Sequence, residues 1–345
     1  MLQPTIDPTQ SLRSLPLVTL HLTERCNSRC VSCDYWRHGR IDMTLASVAR
    51  LLPELLELQT HTVLISGGEP LLHPQWIEIA GLLRDRGMSL WLVTSGLSLA
   101  KHAARAAELF ESITVSLDGT TPAMYTAIRG LNAFDKVCEG IRRIAASGTR
   151  VSIRVTVQRT NYHALPAFVD LAKALGAHEV SFLAADVANT VAFGRTGGFN
   201  TDLSLQPPDL LEFAAILAGM ERTHAADFHR RFIAESPAKL RRLHRYFAAV
   251  CGLGAFPATR CNAPEFSAVI GAAGRVSPCF FINGPSSAAV ALSLRHDLNN
   301  GEMLTLRRDI RAGRRSECTT CVCSLWREPH ELSRFQLDRA AHAAV

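Results

Sequence analysis

The chain has 345 residues, a formal net charge of +6 and 47% hydrophobic residues. This length suits one large α/β domain or a barrel with a smaller appendage. The positive charge is scattered, with dense runs at 241–246 and 307–317, which is typical of a solvated surface rather than a nucleic-acid interface. The first residues lack a secretory signal, and no apolar run approaches the roughly 18 residues that span a bilayer. We therefore expect a cytoplasmic protein that binds neither membrane nor nucleic acid.

Six apolar, β-branched runs predict strands, and segments with helical periodicity separate them. Such a series predicts a parallel sheet with right-handed crossovers, either doubly wound or rolled into part of a barrel. The alternation stops near residue 186, where a connector containing Gly and Pro begins. The strand runs cover 16–22, 61–67, 89–95, 112–118, 150–158 and 179–185.

These changes in pattern divide the chain into five predicted parts. An N-terminal extension (1–14) precedes the α/β core (15–186), and a connector with a helical segment (187–249) follows it. A smaller Cys-rich module (250–330) and a C-terminal tail (331–345) complete the chain.

Ten cysteines are present, and they are unevenly distributed. In a cytoplasmic protein, clustered cysteines indicate metal ligands or catalysts before disulfides. Cys26, Cys30 and Cys33 lie on the loop after the first predicted strand, where the reactive groups of a parallel sheet gather. One interpretation is a zinc site with His38 as a fourth ligand. The other is three corners of a cubane iron–sulfur cluster that leaves its fourth iron open.

The stretch from Cys26 to Cys33, CNSRCVSC, resembles the signature of the radical S-adenosylmethionine (SAM) superfamily. The sequences ISGGEP (65–70), VTSGL (93–97) and SLDG (116–119) at the next strand ends resemble that family's later motifs, in the same order. The resemblance implies a partial (β/α)6 TIM-like barrel over residues 15–186. It also implies a [4Fe–4S] cluster whose open iron chelates SAM, and reductive cleavage of SAM to a 5′-deoxyadenosyl radical that takes hydrogen from a substrate.

The resemblance further implies a set of cofactor-binding residues but no catalytic protein residue beyond the cofactor ligands. Gly67 and Gly68 have no side chain, so the strand end can offer backbone carbonyls to the ammonium of SAM. Asp118 falls where ribose-contacting side chains sit in the family. Arg154 suits the SAM carboxylate, and the alternation of the strand leaves open which face it takes. The full set is Ser66, Gly67, Gly68, Glu69, Ser95, Ser116, Asp118 and Arg154.

The second cysteine group resembles the auxiliary-cluster hairpin of the SPASM and twitch extensions, and the sequence GRVSPCFF (274–281) carries this resemblance most clearly. The chain lacks the complete seven-cysteine SPASM array, so the resemblance implies one auxiliary [4Fe–4S] cluster of the twitch type. Cys251 could join its ligands, whereas Cys138 is expected in the core. The expected ligands are Cys261, Cys279, Cys318 and Cys321, with Cys323 as the alternative for the last place.

Two substrate classes remain open for such an enzyme. Peptide-modifying relatives often carry a separate fold that grips a leader peptide, and no room precedes Cys26 for one. We therefore favour a small biosynthetic intermediate, such as a sugar, nucleoside, aminocyclitol or tetrapyrrole, that undergoes oxidation, decarboxylation or rearrangement. The alternative is a maturase of a ribosomal peptide or protein. A zinc- or cluster-binding regulatory protein is the alternative of another class. The expected redox partner is an electron donor such as flavodoxin or ferredoxin.

Overall fold

The structure is a computed structural model that describes residues 11–190, 192–195, 201–285, 293–323 and 325–328. The predicted tail (331–345) and the first ten residues of the predicted extension (1–14) lie outside the described residues. The strands are β1 Leu17–Thr23, β2 Thr62–Gly67, β3 Ser89–Thr94, β4 Ser112–Ser116, β5 Arg150–Val157, β6 Glu179–Ala184, β7 Ser267–Ile270 and β8 Val276–Ser277.

Helices connect these strands and form a separate group after β6. Those before β6 are α1 Tyr35–His38, α2 Leu45–Glu57, α3 Trp76–Arg84, α4 Leu99–Leu109, α5 Pro122–Arg129, α6 Phe134–Ala146 and α7 Leu165–Ala174. Those after β6 are α8 Pro207–Thr223, α9 Ala225–His229, α10 Pro237–Val250, α11 Leu294–Asn299, α12 Gly301–Arg311 and α13 Ser316–Thr319.

One sheet contains all eight strands in the order β6-β5-β4-β3-β2-β1-β7-β8. The strands β1 to β6 pair in parallel with their neighbours in the chain, as expected when helices connect consecutive strands. Each of the six lies inside its predicted run or within one residue of it. The structure confirms the predicted fold class, a mainly parallel α/β sheet that forms a partial barrel.

The C-terminal hairpin joins this sheet. Its strand β7 runs parallel to β1, with Leu17 beside Ser267 and Leu20 beside Ile270. The short β8 then pairs antiparallel with β7. The first strand is therefore flanked on both sides, and the Cys-rich region begins directly beside it.

Alternation along β4 separates an apolar outer side from a polar inner side. On β4, Ile113 and Val115 are fully buried, and each contributes about 1.5–3 kcal/mol by leaving water. The intervening Thr114 and Ser116 are only partly buried. At β4 the inner face of the barrel thus carries small polar side chains. None of the helices in the described ranges has both the length and the apolar character needed to cross a bilayer.

Asp227 connects α7 to α9 through a buried carboxylate. It accepts hydrogen bonds from Lys173 Nζ (2.7 Å), His224 Nδ1 (2.9 Å) and Arg230 Nη2 (2.9 Å). Burial alone raises the pKa of Asp227, but these donors outweigh it and lower the pKa to about 2. The ionised carboxylate therefore stabilises the fold.

We expect Asp227→Asn to lower the free energy of unfolding by about 2 kcal/mol at neutral pH, because the donors lose a charged acceptor. The folded-state pKa lies below the ordinary value of 3.8, so this contribution is complete above about pH 4 and declines as the pH falls toward 2. Urea titrations at several pH values, followed by circular dichroism, would measure both effects. Glu139→Gln, in an exposed pair with Arg143, is the control and should cost less than about 0.5 kcal/mol. An equal loss in both variants would contradict the prediction.

Candidate functional site

The loop after β1 carries the first three cysteines, and its base is fixed by hydrogen bonds. The Arg25 guanidinium pairs with Asp42 at 2.7 Å, and the Thr23 hydroxyl donates to the same carboxylate at 2.5 Å. The backbone N–H of Gly68, after β2, donates to the Thr23 carbonyl at 2.7 Å. The ends of β1 and β2 therefore position this loop together.

The three thiols of the loop lie close enough to influence one another. Burial raises the pKa of Cys26 to about 12 and that of Cys33 to about 11, and the neighbouring Cys30 thiol acts in the same direction on both. Each sulfur also receives a hydrogen bond from nitrogen: Ser28 N–H on Cys26, Arg129 Nη1 on Cys30 at 3.4 Å, and Tyr35 N–H on Cys33.

The donor to Cys30 belongs to a buried ion pair. Arg129 Nε lies 2.7 Å from Asp118 Oδ2. The other carboxylate oxygen of Asp118 accepts the Thr156 N–H at 2.6 Å. The sequence resemblance predicted that Asp118 would contact the ribose of SAM. In the structure, both of its carboxylate oxygens instead contact groups of the protein, Arg129 and the Thr156 N–H.

Two glycines at the end of β2, Gly67 and Gly68, pack directly against the end of β1 and the cysteine loop. A Cβ on Gly67 would lie 2.3 Å from the Thr23 carbonyl oxygen, and one on Gly68 would lie 2.3 Å from that of Arg25. Gly67 also has a φ of 128°, a backbone conformation that residues other than glycine rarely adopt. The close contact between the end of β2 and the cysteine loop therefore explains why both positions are glycine. The lack of a side chain also leaves their backbone groups open to a ligand.

Glu69 connects the end of β2 to the end of β3. Its fully buried carboxylate accepts hydrogen bonds from the backbone N–H groups of Leu71 (3.1 Å) and Ser95 (2.6 Å) and from the Thr94 hydroxyl (2.8 Å). Burial raises the pKa of Glu69, and these donors oppose the rise. Glu69 was predicted to contact the cofactor, but its carboxylate, like that of Asp118, binds donors of the protein. It thereby holds the backbone of Ser95 in place.

Arg154 lies on the inner face of the barrel, which decides the orientation that the sequence left open. It is beside Ser116 on β4 and Ser181 on β6. Its Nε is buried and has no hydrogen-bond partner among the described residues. Its charge acts on the buried carboxylate of Glu235 and on the thiol of Cys323. The interior of the barrel therefore contains a cation with unused hydrogen-bonding capacity.

Five thiols of the C-terminal region form a second group. Burial raises the pKa of Cys279 to about 12, and Cys261 and Cys318 act on it in the same direction. Cys321 lies beside Cys279, Cys318 and Cys323, and its Sγ is 3.1 Å from the Cys323 carbonyl oxygen. All four expected auxiliary ligands and the alternative Cys323 thus lie near enough for their charges to influence one another.

The two remaining cysteines have other surroundings. Cys138 is 3% exposed and belongs to the hydrophobic core. Cys251 is partly buried, and its thiol donates to the Leu205 carbonyl at 3.1 Å.

His21 lies between the two cysteine groups on the inner face of β1. Its ring centroid is 6.2 Å from that of Tyr35, which follows Cys33, and 5.8 Å from that of Phe280, which follows Cys279. Burial lowers the pKa of His21 to about 4, so the imidazole is neutral at physiological pH. A continuous aromatic contact therefore joins the two groups.

The segment after β6, residues 186–190 and 192–195, is called the linking segment below. Its Phe193 carbonyl accepts the Asp34 N–H at 2.9 Å and the Cys33 thiol at 3.3 Å. Arg195 Nη2 donates to the Ser32 carbonyl at 3.1 Å. The linking segment is thus hydrogen-bonded to the first cysteine loop.

The same segment also contacts the C-terminal cysteine group. Asn189 Nδ2 donates to the Phe281 carbonyl at 2.8 Å, two residues after Cys279. The rings of Phe193 and Phe281 have centroids 5.9 Å apart. Phe193 adopts a left-handed conformation, with φ 61°, which is costly for a residue other than glycine. These contacts hold Phe193 between the two cysteine groups.

The first three thiols fit an iron–sulfur cluster. No three His, Cys, Asp or Glu side chains in the described ranges converge tightly enough to hold a single metal ion, and His38 is exposed. A cubane places each thiolate on a different iron, so its ligands do not meet at one point. An all-sulfur set with a nitrogen donor for each sulfur matches the surroundings that tune such clusters.

Comparison with known proteins identifies the domain. A family model described as the Radical SAM superfamily matches residues 20–172. GTP 3′,8-cyclase 1 of Mycobacterium tuberculosis is 34% identical over 179 residues, which are 48% of this chain and 49% of that protein. Mycofactocin maturase MftC of the same organism is 30% identical over 165 residues, 46% of this chain and 42% of that protein. The chain carries a radical SAM domain, the kind that uses a [4Fe–4S] cluster with SAM. It spans about half the length of these relatives.

Among solved structures, that of anSMEcpe with bound AdoMet and the Cp18Cys peptide has a TM-score of 0.65 at 16% identity. The match covers 96% of this chain and 99% of that one. At this identity the likeness shows the fold, and it extends through the Cys-rich C-terminal region.

Sequence reasoning missed Arg129 and the linking segment. Arg129 stands before Gly130 at the end of a helix, where an arginine is ordinary. Phe193 and Arg195 lie in a stretch that has the composition of a loop. Their importance comes from tertiary contacts with the cysteine loop, and no local pattern encodes those contacts.

We expect Gly68→Ala to displace the cysteine loop, because its Cβ would lie 2.3 Å from the Arg25 carbonyl oxygen and 2.6 Å from that of Glu24. The loss should be about 2 kcal/mol in unfolding free energy, with at least half of the iron lost from the first site. Iron analysis and urea titration would measure both. Gly81→Ala is the matched control, because nothing lies within 4 Å of its Cβ; in a helix this change should be neutral or stabilising. Full iron content in Gly68→Ala would refute the packing argument.

Proposed function

We propose that the chain is a radical SAM enzyme with one auxiliary [4Fe–4S] cluster, and that it acts on a small biosynthetic intermediate. The observation that carries the proposal is the grouping of Cys26, Cys30 and Cys33 at the carboxyl end of β1, each sulfur with a nitrogen donor. The His21 ring contacts Tyr35 near this group and Phe280 beside Cys279 of the second group. When bound, the first cluster and SAM supply a 5′-deoxyadenosyl radical that removes hydrogen from the substrate.

The protein's part is to hold and orient these groups and to exclude water. Cys26, Cys30 and Cys33 would hold three irons of the cluster. The inward charge of Arg154 would bind the SAM carboxylate, since its buried Nε is unpaired among the described residues. The loop of Ser66, Gly67 and Gly68 would offer backbone groups to the methionyl part, and Ser95 and Ser116 would supply hydroxyl groups.

Glu69 and Asp118 receive a different role in this proposal from the one that the sequence suggested. Each uses its carboxylate oxygens on donors of the protein. Glu69 would act as a positioning residue for Ser95, and Asp118 as one for Arg129. They would shape the cofactor site without touching the cofactor through their carboxylates.

The auxiliary cluster would be held by Cys261, Cys279, Cys318 and Cys321, with Cys323 as the alternative for the last place. Backbone N–H groups already donate to Cys261, Cys279 and Cys321, as is common around cluster thiolates. Four protein ligands leave no open iron. Such a cluster would therefore serve to accept the electron that the substrate radical loses on oxidation, and a flavodoxin or ferredoxin would reduce the barrel cluster.

A ribosomal peptide is the second candidate substrate, and one observation favours it. The structure of anSMEcpe was obtained with a bound peptide, although its fold matches this chain over 99% of its length. A peptide can therefore be accommodated on this architecture without a separate leader-binding fold.

The cluster assignment is tested by iron content and SAM cleavage. The anaerobically reconstituted protein should bind about eight irons per chain, as two cubanes require. Replacing Cys26, Cys30 and Cys33 together with Ala should remove about four irons and abolish release of 5′-deoxyadenosine under a strong one-electron reductant. Cys138→Ala is the control and should leave both values unchanged, since its thiol lies in the core. A protein that binds stoichiometric zinc and no iron would refute the proposal.

The auxiliary assignment is tested by separating SAM cleavage from turnover. The double variant Cys279→Ala, Cys321→Ala should lose about four irons and most product formation, because the substrate electron would have no acceptor. Its release of 5′-deoxyadenosine should persist. Cys323→Ala should retain full iron content. If Cys323→Ala loses those irons while Cys321→Ala keeps them, the fourth ligand is Cys323.

A further inference from the structure

The three sulfurs of the first loop differ in their donors. Backbone N–H groups serve Cys26 and Cys33, whereas Arg129 Nη1 donates to Cys30 Sγ at 3.4 Å. We propose that Arg129 raises the reduction potential of the cluster held by these cysteines and that Asp118 limits this rise. The inference rests on the proposed function in one respect, the presence of that cluster.

The charges of this pair are shielded from water. The Arg129 side chain is 10% exposed and that of Asp118 is 3% exposed, with Nε and Oδ2 only 2.7 Å apart. Asp118 is fixed in turn by the Thr156 N–H at 2.6 Å. Because solvent screens buried charges weakly, both charges act on Cys30 more strongly than surface charges would.

The end of α5 keeps the guanidinium against the cysteine loop. The carbonyl of Arg129 accepts the Arg29 N–H at 3.0 Å, and that of Ile128 accepts the Val31 N–H at 3.0 Å. Gly130 then ends the helix at a φ of 71°, and a Cβ there would lie 2.5 Å from the Arg29 carbonyl oxygen. Loop and helix end are thus docked through their backbones, which places the Arg129 side chain beside Cys30, where its ion pair with Asp118 orients the guanidinium.

The direction of each effect follows from the charge that reduction adds. A cluster gains one negative charge on reduction, so a buried cation that donates to a ligand sulfur stabilises the reduced form more than the oxidised form. Arg129 therefore raises the potential. The Asp118 carboxylate opposes it through its own negative charge. Removing the two charges one at a time should shift the potential in opposite directions, which a merely structural role for the pair does not predict.

The test is a redox titration of the reconstituted full-length chain, followed by electron paramagnetic resonance. The barrel cluster is recognised as the one whose signal changes when SAM is added. At the wild-type midpoint, Arg129→Gln should lower the ratio of reduced to oxidised cluster about tenfold, equivalent to about 59 mV for one electron. Asp118→Asn should raise that ratio. Arg129→Lys, which keeps the charge, should lie closer to wild type than Arg129→Gln.

Arg150→Gln is the matched control. Arg150 pairs with Glu179 at 2.9 Å on the exposed amino end of β5, at the opposite end of the sheet from the cysteine loop. Its potential should equal that of the wild type. Each variant is also assayed for iron and labile sulfide, so that loss of the cluster is distinguished from a change in its potential.

Several outcomes overturn the inference. Equal potentials in Arg129→Gln and wild type, at full iron content, overturn it and leave the proposed function intact. Shifts of the same sign in Arg129→Gln and Asp118→Asn overturn it, because they indicate a distorted loop. Loss of the cluster in both variants also overturns it in favour of a role in assembly. Unchanged iron content after removal of Cys26, Cys30 and Cys33 overturns the proposed function itself.

Discussion

The pairing of β1 on both of its edges is the constraint on which the rest of the structure depends. Leu20 lies beside Ile65 on one neighbour and beside Ile270 on the other. This register directs His21 inward and releases the cysteine loop at the end of the strand. A slip by one residue would exchange the two faces of β1, burying His21 under the helices and turning Leu20 into the polar interior. Both cysteine groups therefore take their positions from one strand.

The barrel was predictable because its signals are local. Each of the six strands is a short apolar run between helical segments, and consecutive strands of this kind usually pair. The pairing of β7 with β1 was not predictable in the same way. Its two strands are distant in the sequence, and a short apolar run such as that of β7 carries no mark of the neighbour that it will have.

The candidate site shows the same division between local and tertiary information. The cysteine spacing and the order of the strand-end motifs predicted which loops would meet. Motif position did not reveal that the carboxylates of Glu69 and Asp118 bind donors of the protein, because that depends on Thr94, Ser95 and Arg129 arriving from other elements. Similarly, the inward direction of Arg154 follows from strand register, which one sequence does not display.

The second cysteine group has more thiols than one cluster needs and lies near charged side chains of other elements. It contains five thiols, one more than the four ligands that a cubane takes, and positive charges from Lys239, Arg154 and Arg242 act on Cys323. These cations come from β5 and α10, two elements outside the Cys-rich hairpin. The electrostatic surroundings of this second cysteine group are thus supplied partly by the barrel strand β5.

The linking segment limits how this barrel could be joined to the C-terminal module of another protein. Its Phe193 and Arg195 bind the first cysteine loop, while Asn189 binds the backbone beside Cys279. A few residues that belong to neither cysteine group therefore help to set the spacing between the two groups. A chimaera that joined this barrel to another protein's C-terminal module would need to inherit this segment, together with the β1 edge on which β7 docks. Boundaries drawn by cysteine content alone would separate parts that are joined by hydrogen bonds and by strand pairing.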